Sequence, residues 1–363
     1  MKAASRLVLL LTLAGCSPLP PATKPGEAPP APVFATVSGT ADANDIALFL
    51  AGKPVHHGER LSQMQTGPDY KSYSDEMVYR WRYYSSARTA RQSQWSDQYL
   101  APTIGSPSTL LYPFGGPDLL HAIAMFPHTA TYVLLGLEPT GSLPGLEAND
   151  PNAVANALKQ LSRSMDTQLK VGYFITKDMR ADLNNGPLQG VTPVLLASIG
   201  LLNGSVDNIQ SISAGGKPAV QIDFRIPGAG SKRAIYVSGD LSNKGFSGGY
   251  AAWLHSYSGS VAYFKAASYL MHDDGFSGIR NFVLNNTKAV VEDDSGIPYR
   301  YFGNGWETKL FGRYDTPIEL FANHGQADLR AAYNAAGGAP EIPFGTGYQF
   351  RAANANLQLY RKR

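Results

Sequence analysis

One cysteine, Cys16, is the entire thiol content of 363 residues. No disulfide can close within the chain, and no thiolate cluster can hold a metal. Charge is scarce as well: Asp, Glu, Lys and Arg make up 16% of residues, and the formal net charge is +3. A nearly neutral chain without a Lys/Arg block gives nucleic acid no electrostatic footing. The closing Arg361-Lys362-Arg363 reads as a solvated terminus. No stretch approaches the ~18 consecutive apolar residues of a membrane-spanning helix. His-Glu-x-x-His, Gly-x-Ser-x-Gly and the P-loop signature are all missing, which removes the defining residues of zinc proteases, standard α/β-hydrolases and P-loop NTPases. No internal repeat is visible.

What is present begins at the amino terminus. Lys2 and Arg6 form a basic start, residues 7–13 an apolar core, and Leu13-Ala14-Gly15-Cys16 a small-residue processing site. Those three parts in that order make a secretory signal peptide, too short to span a bilayer. The motif resembles the lipobox of bacterial lipoproteins. That resemblance implies that residues 1–15 are removed, that Cys16 becomes the lipidated first residue, and that the membrane is a partner through that lipid. It also implies sorting to the outer membrane, facing the periplasm, because Ser17 is not Asp. Without Lys2 and Arg6 the mature charge is about +1. The resemblance further implies a diacylglyceryl group plus one amide-linked acyl chain, which suffices for stable anchoring.

Residues 16–32 hold the lipidated cysteine and a linker dense in proline, with Pro18, Pro20, Pro21, Pro25, Pro29, Pro30 and Pro32. Such a tract makes no backbone ladder and spaces the folded part about 50 Å from the lipid at ~3.1 Å per residue. Residues 33–105 read as a helical segment: a short helix over 42–52 with Ile46, Phe49 and Leu50 on one face, then a long one over 74–100 carrying Val78, Trp81, Tyr84, Trp95 and Tyr99. Its arginines fit a solvated basic face. Residues 106–363 read as an α/β domain.

The rhythm there is strand, turn, helix, strand. Strands are expected at 109–114, 132–137, 261–269, 289–291, 298–302 and 309–314, and helices at 119–125, 151–168, 192–202, 276–284 and 326–335. Two alternating runs, 220–226 and 234–237, read as an inserted β-hairpin with a flexible tip at 227–230. The predicted fold is a mixed sheet with flanking helices, built from Rossmann-like strand-turn-helix units.

Two constellations carry candidate chemistry. Gly115-Gly116-Pro117-Asp118-Leu119-Leu120-His121 falls where a buried strand turns into a helix, with Glu138 about twenty residues on, at the end of the next strand. Gly115, Gly116, His121 and Glu138 are therefore candidate ligand-binding residues. Gly116, Pro117 and Asp118 also fit plain helix capping. The three-glycine fingerprint is missing, Pro117 lacks an N–H, and an exported protein meets few nucleotides, so no cofactor is expected.

The second constellation is His272-Asp273-Asp274 together with Glu292-Asp293-Asp294-Ser295-Gly296, each after a strand. In an open α/β sheet these ends share one edge with Asp118. Asp118, His272, Asp273, Asp293 and Asp294 are thus candidate acids, bases or cation ligands, with Tyr299 and Arg300 beyond them suited to a sugar. Ordinary turn chemistry accounts for the same residues. His56, His57, His128, His255 and His324 read as surface or packing histidines, and Lys265-x-x-Ser268 as a coincidence of spacing.

Tyr112-Pro113-Phe114-Gly115-Gly116-Pro117-Asp118, Gly136-Leu137-Glu138-Pro139 and Asp293-Asp294-Ser295-Gly296-Ile297-Pro298-Tyr299 are similar to segments of a group of uncharacterised bacterial exported proteins, over roughly residues 75–350. That similarity implies no mechanism. The expectation is an envelope protein that binds a glycan, peptide or protein partner, or, alternatively, a hydrolase of envelope glycan or peptide using the strand-end carboxylates.

Overall fold

Apolar runs too short for helices become the strands of one sheet. In the computed structural model these are β1 (Thr109–Tyr112), β2 (Thr131–Gly136), β3 (Ser205–Ala214), β4 (Lys217–Ile226), β5 (Gly230–Ser238), β6 (Val261–Phe264), β7 (Ala289–Glu292), β8 (Trp306–Gly312) and β9 (Asn356–Lys362), in the spatial order β3-β4-β5-β2-β1-β6-β7-β9-β8. The structure describes residues 42–183 and 186–363. Cys16, the leader and the proline-rich linker lie outside the described residues.

β5, β2, β1, β6 and β7 are parallel neighbours, and β4, β3 and β9 extend the sheet antiparallel to their neighbours. The chain starts at β1 in the middle, builds outward to β2 and β5, then crosses to β6 and β7. The order of the parallel strands therefore reverses beside β1, as in doubly wound sheets, whose ligands sit at the carboxyl ends of the strands at that point.

The helices are α1 (Ala43–Leu50), α2 (Glu59–Thr66), α3 (Pro68–Tyr84), α4 (Ala90–Trp95), α5 (Ala101–Ile104), α6 (Leu119–Met125), α7 (Pro151–Val171), α8 (Thr176–Asp182), α9 (Thr192–Leu201), α10 (Gly248–His255), α11 (Ser277–Asn286) and α12 (Ala327–Ala335). Strand side chains alternate between two cores. Leu110, Tyr112, Tyr132, Leu134 and Tyr263 face the core shared with α1, α3, α6, α7 and α9. Leu111, Val133, Leu135, Ala262 and Phe264 face the one shared with α10 and α11. Burial on both faces is why these strands read as continuous apolar runs.

α7 shows the local logic of the helices. Asp150 accepts from the N–H groups of Asn152 and Ala153, Pro151 opens the first turn, and Gly172 closes it in the left-handed conformation.

Several expectations need correction. The inserted hairpin forms as expected from β4 and β5, but it is longer and is part of the central sheet, since β5 pairs in parallel with β2 along Thr131–Gly136. The strand expected over 261–269 stops at Phe264. No strand covers 298–302; Tyr299–Tyr301 is a 3-10 turn after Pro298, with the guanidinium groups of Arg280 and Arg300 both placed over the Tyr301 ring. The helix expected over 74–100 runs from Pro68 to Ile104, through two π-helical turns at Ser85–Thr89 and Ser96–Leu100. β3 and β9 are additional to the strands expected.

Candidate functional site

The turn after β1 is built by close approach. A Cβ on Gly115 would lie 2.6 Å from the Tyr112 ring, and one on Gly136 would lie 2.7 Å from both Glu138 Oε2 and the Tyr236 hydroxyl. Strain gathers beside it. Among the described residues, Phe114, Asn203, Ala266, Ser268 and Tyr269 have positive φ without being glycine. Asn203 ends a helix, but the other four follow β1 or β6, the adjacent strands where the order reverses. Such conformations cost about 1–3 kcal/mol each and persist where surrounding structure enforces them, most often at ligand sites. The rim they form is partly apolar: Leu137 is 55% exposed, Phe114 half-buried and Ser268 exposed.

Beneath this rim lies a buried charge cluster. Asp118 Oδ2 accepts from the Tyr112 hydroxyl at 2.9 Å and from Lys265 Nζ at 2.5 Å; Oδ1 bonds His121 Nδ1 at 2.8 Å and Gln168 Nε2 at 2.7 Å. The side chains of Asp118 and Lys265 are each 2% exposed. Lys265 also donates to the Gly172 carbonyl, so the ends of β1, β6 and α7 meet at one ammonium. Burial alone would raise the Asp118 pKa, but Lys265 and His121 hold it far below the usual carboxylate range. Burial pushes Lys265 down, against the pull of Asp118. Burial and the charge of Lys265 bring His121 down to about 4.

Asp293 joins the cluster from β7. Its Oδ2 accepts from the Ala266 N–H at 2.9 Å, and its Oδ1 from the Ser295 N–H at 2.9 Å and the Ser295 hydroxyl. Gly347 packs on it so closely that a Cβ there would overlap Oδ2 at 1.7 Å. Burial and the charge of Asp294 push Asp293 up to about 7.

The remaining candidates lie elsewhere. Asp294 turns to the Tyr269 hydroxyl at 2.5 Å and to Asn356 of β9 at 2.9 Å. Asp273 is exposed and closes a turn onto the Gly275 N–H at 2.6 Å. His272 packs edge-on against Tyr269 and His324, and burial with the neighbouring His324 brings it down to about 4. Tyr299 lines a separate cavity beside β8, while exposed Arg300 stacks on Tyr301. Glu138 is buried, with Oε2 bonded to the Tyr236 hydroxyl at 3.0 Å and the Leu137 N–H at 3.2 Å.

The capping explanation for Asp118 is corrected by this geometry. It occupies the N-cap position of α6, but its carboxylate makes no cap hydrogen bond and points inward to Lys265. The Gly116 N–H is taken by the Leu135 carbonyl at 3.3 Å. With Pro117 lacking a donor, the turn has little left for an anion.

Asp118, His121 and Asp293 are thus brought together, and His272, Asp273, Tyr299 and Arg300 are not. Among the described residues no three His, Cys, Asp or Glu side chains converge as a metal site requires. No family model, curated protein or solved structure matches the chain.

Sequence reasoning misses Lys265 and Gln168 as members of the site. The available signal for Lys265 is a lysine inside the apolar run Val-Ala-Tyr-Phe-Lys-Ala-Ala, since a lysine buried with its strand needs a paired carboxylate.

The cluster predicts two opposed titrations. His121 takes its proton near 4 when folded and near 6.5 when unfolded, so the unfolded chain holds more protons between those values and stability rises with pH there. Asp293 titrates near 7 when folded against 3.8 in the free side chain, so its term falls with pH over that window. Each has a limiting slope of about 1.4 kcal/mol per pH unit. Urea unfolding from pH 4 to 7 should therefore show a steeper rise with pH than wild type in Asp293→Asn and a flatter one in His121→Gln. Profiles parallel to wild type would remove both assignments.

Proposed function

We propose that this is a lipid-anchored protein of the bacterial envelope that binds a glycan or peptide at the carboxyl edge of β1 and β6. The observation that carries the choice of binding over hydrolysis is that the acids at and beside that edge are buried and engaged by the protein. Every oxygen of Asp118, Asp293 and Asp294 accepts from a protein donor. A general base needs a free lone pair that a substrate can reach, whereas four donors fill Asp118 and burial keeps Asp293 and Asp294 from solvent. Asp293, with its raised pKa, is the best acid for the hydrolase alternative, yet it is buried and its oxygens are engaged by Ala266 and Ser295. Phe114 and Ser268, held in strained backbone, and the exposed Leu137 at the end of the neighbouring β2 suit recognition of a sugar face or a peptide.

The envelope location rests on the sequence of residues 1–16, with Cys16 as the lipidated residue; the partner on the membrane side is the bilayer itself. Among the described residues no helix is long and apolar enough to cross a membrane. Expression of the full chain in a bacterial host tests this part. Wild type is expected in the membrane fraction with a mass matching a lipidated Cys16 terminus, and Cys16→Ser is expected to lose both. A wild-type protein with intact residues 1–15 in the soluble fraction would contradict it.

A further inference from the structure

The outer edge of β8 is open. The β8–β9 ladder continues past its ends, with the Arg363 N–H donating to the Gly305 carbonyl and the Arg313 N–H to the Ala355 carbonyl. Odd-numbered residues of β8 therefore bond β9, and the backbone groups of the even-numbered residues point outward. Trp306 N–H is taken by the Gly303 carbonyl, and Gly312 N–H by the Pro340 carbonyl at 2.7 Å. Between them Thr308 and Leu310 have no hydrogen-bond partner on that edge among the described residues. A cavity of about 710 Å³ runs along it.

The cavity has two unlike walls. On one face of the sheet stand Tyr99 and Thr103, and on the other Ala332, Ala335, Ala336 and Ala339. Lys309 is the one charged side chain in the lining; its Nζ reaches the Thr103 hydroxyl at 3.1 Å. No described carboxylate is in ion-pair contact with it; its charge acts on Glu307, whose direct partner is Arg361.

We propose that this groove takes an extended segment of another protein as an added strand, with a carboxylate side chain of that segment facing Lys309. The recognition mode is β-strand addition, in which main-chain bonds give affinity and alternate side-chain sites give specificity. Cross-strand neighbours share a face. Guest residues opposite Thr308 and Leu310 bond their free N–H and C=O groups and send side chains to the alanine wall, where only small ones fit. The guest residue between them lies on the Lys309 face. The preferred pattern is therefore small, acidic, small. Walls on both sides of the edge fit one bare strand, whereas a second copy of β8 would bring its own flanking helices. This surface is separate from the rim at β1 and β6, and either can fail without the other.

The test uses the lipidated protein in detergent micelles and a library of heptapeptides with Ala, Val, Thr, Glu or Lys at each position. Enrichment of Glu flanked by small residues is expected. For a selected peptide, affinity should fall at least about tenfold with Lys309→Glu, an exposed substitution whose folding circular dichroism verifies, and likewise with N-methylation of the two amides beside the Glu. Lys309→Glu should instead enrich Lys at the central position. No enrichment, or enrichment indifferent to Lys309→Glu and to N-methylation, would overturn the proposal. So would a concentration-dependent dimer broken by Ala336→Trp, which assigns the edge to a second copy. Binding that emerges only after removal of residues 16–41 would overturn it in favour of the chain's own amino-terminal segment.

Discussion

Lys265→Met is expected to destabilise the protein by about 3–5 kcal/mol, the usual cost of leaving one member of a buried ion pair uncompensated. In wild type, Lys265 Nζ lies 2.5 Å from Asp118 Oδ2, and both side chains are almost wholly out of water. Tyr112, His121 and Gln168 still donate to Asp118 in the variant, but none of them is a permanent cation. His121 can become one. With Lys265 gone, the charge that repels its proton is absent while Asp118 still attracts it. A histidine whose folded pKa rises adds stability below its unfolded value near 6.5 and loses it as pH climbs through the folded one. The loss should therefore be smaller at pH 5 than at pH 8. Asp118→Asn combined with Lys265→Met should recover most of it, since no unpaired charge remains. Urea unfolding of wild type and the two variants measures this. A loss below about 1 kcal/mol, the range of exposed pairs, would mean that water reaches the pair.

Gly347→Ala should cost at least about 2 kcal/mol. Gly347 has φ +55, and an added Cβ would fall 1.7 Å from Asp293 Oδ2. Asp293 cannot retreat, being held by Ala266 and Ser295. Overpacking of a filled interior costs about 1–3 kcal/mol, and the left-handed backbone adds roughly 1–2. Gly337→Ala separates the two contributions. Its φ is +64, and nothing lies within 4 Å of the added carbon, so it bears the backbone cost alone. Equal thermal destabilisation of both variants would show that Gly347 does not lock Asp293.

Local chemistry makes much of this molecule legible in its sequence. Pro151 behind Asp150 announces α7, and the buried runs at β1, β2 and β7 are short, apolar and bounded by turns. The carboxylates at the strand ends fall where a doubly wound sheet would gather them. What stays hidden depends on partners far along the chain. Asp118 and Lys265 are 147 residues apart, and no spacing rule links them. β3 has a register shift between Val206 and Asn208 and a largely solvent-facing set of side chains, so its alternation is broken. Tyr299-Arg300-Tyr301 alternates like a strand but turns after Pro298, and the buried Arg280 guanidinium lies over Tyr301. Asp273 closes a local turn, as its residue type allows, and Asp294 bonds the side chains of Tyr269 and Asn356.

The central claim is that the edge of β1 and β6 binds and does not cleave. Its most direct test is hydrogen–deuterium exchange of the protein with and without a digest of bacterial envelope glycan and peptide, with the digest analysed for cleavage afterwards. Slowed exchange over residues 113–117 and 265–269, with glycan and peptides recovered intact, is the result the account predicts. New reducing ends or amino termini that form with wild type and not with Asp118→Asn would contradict it.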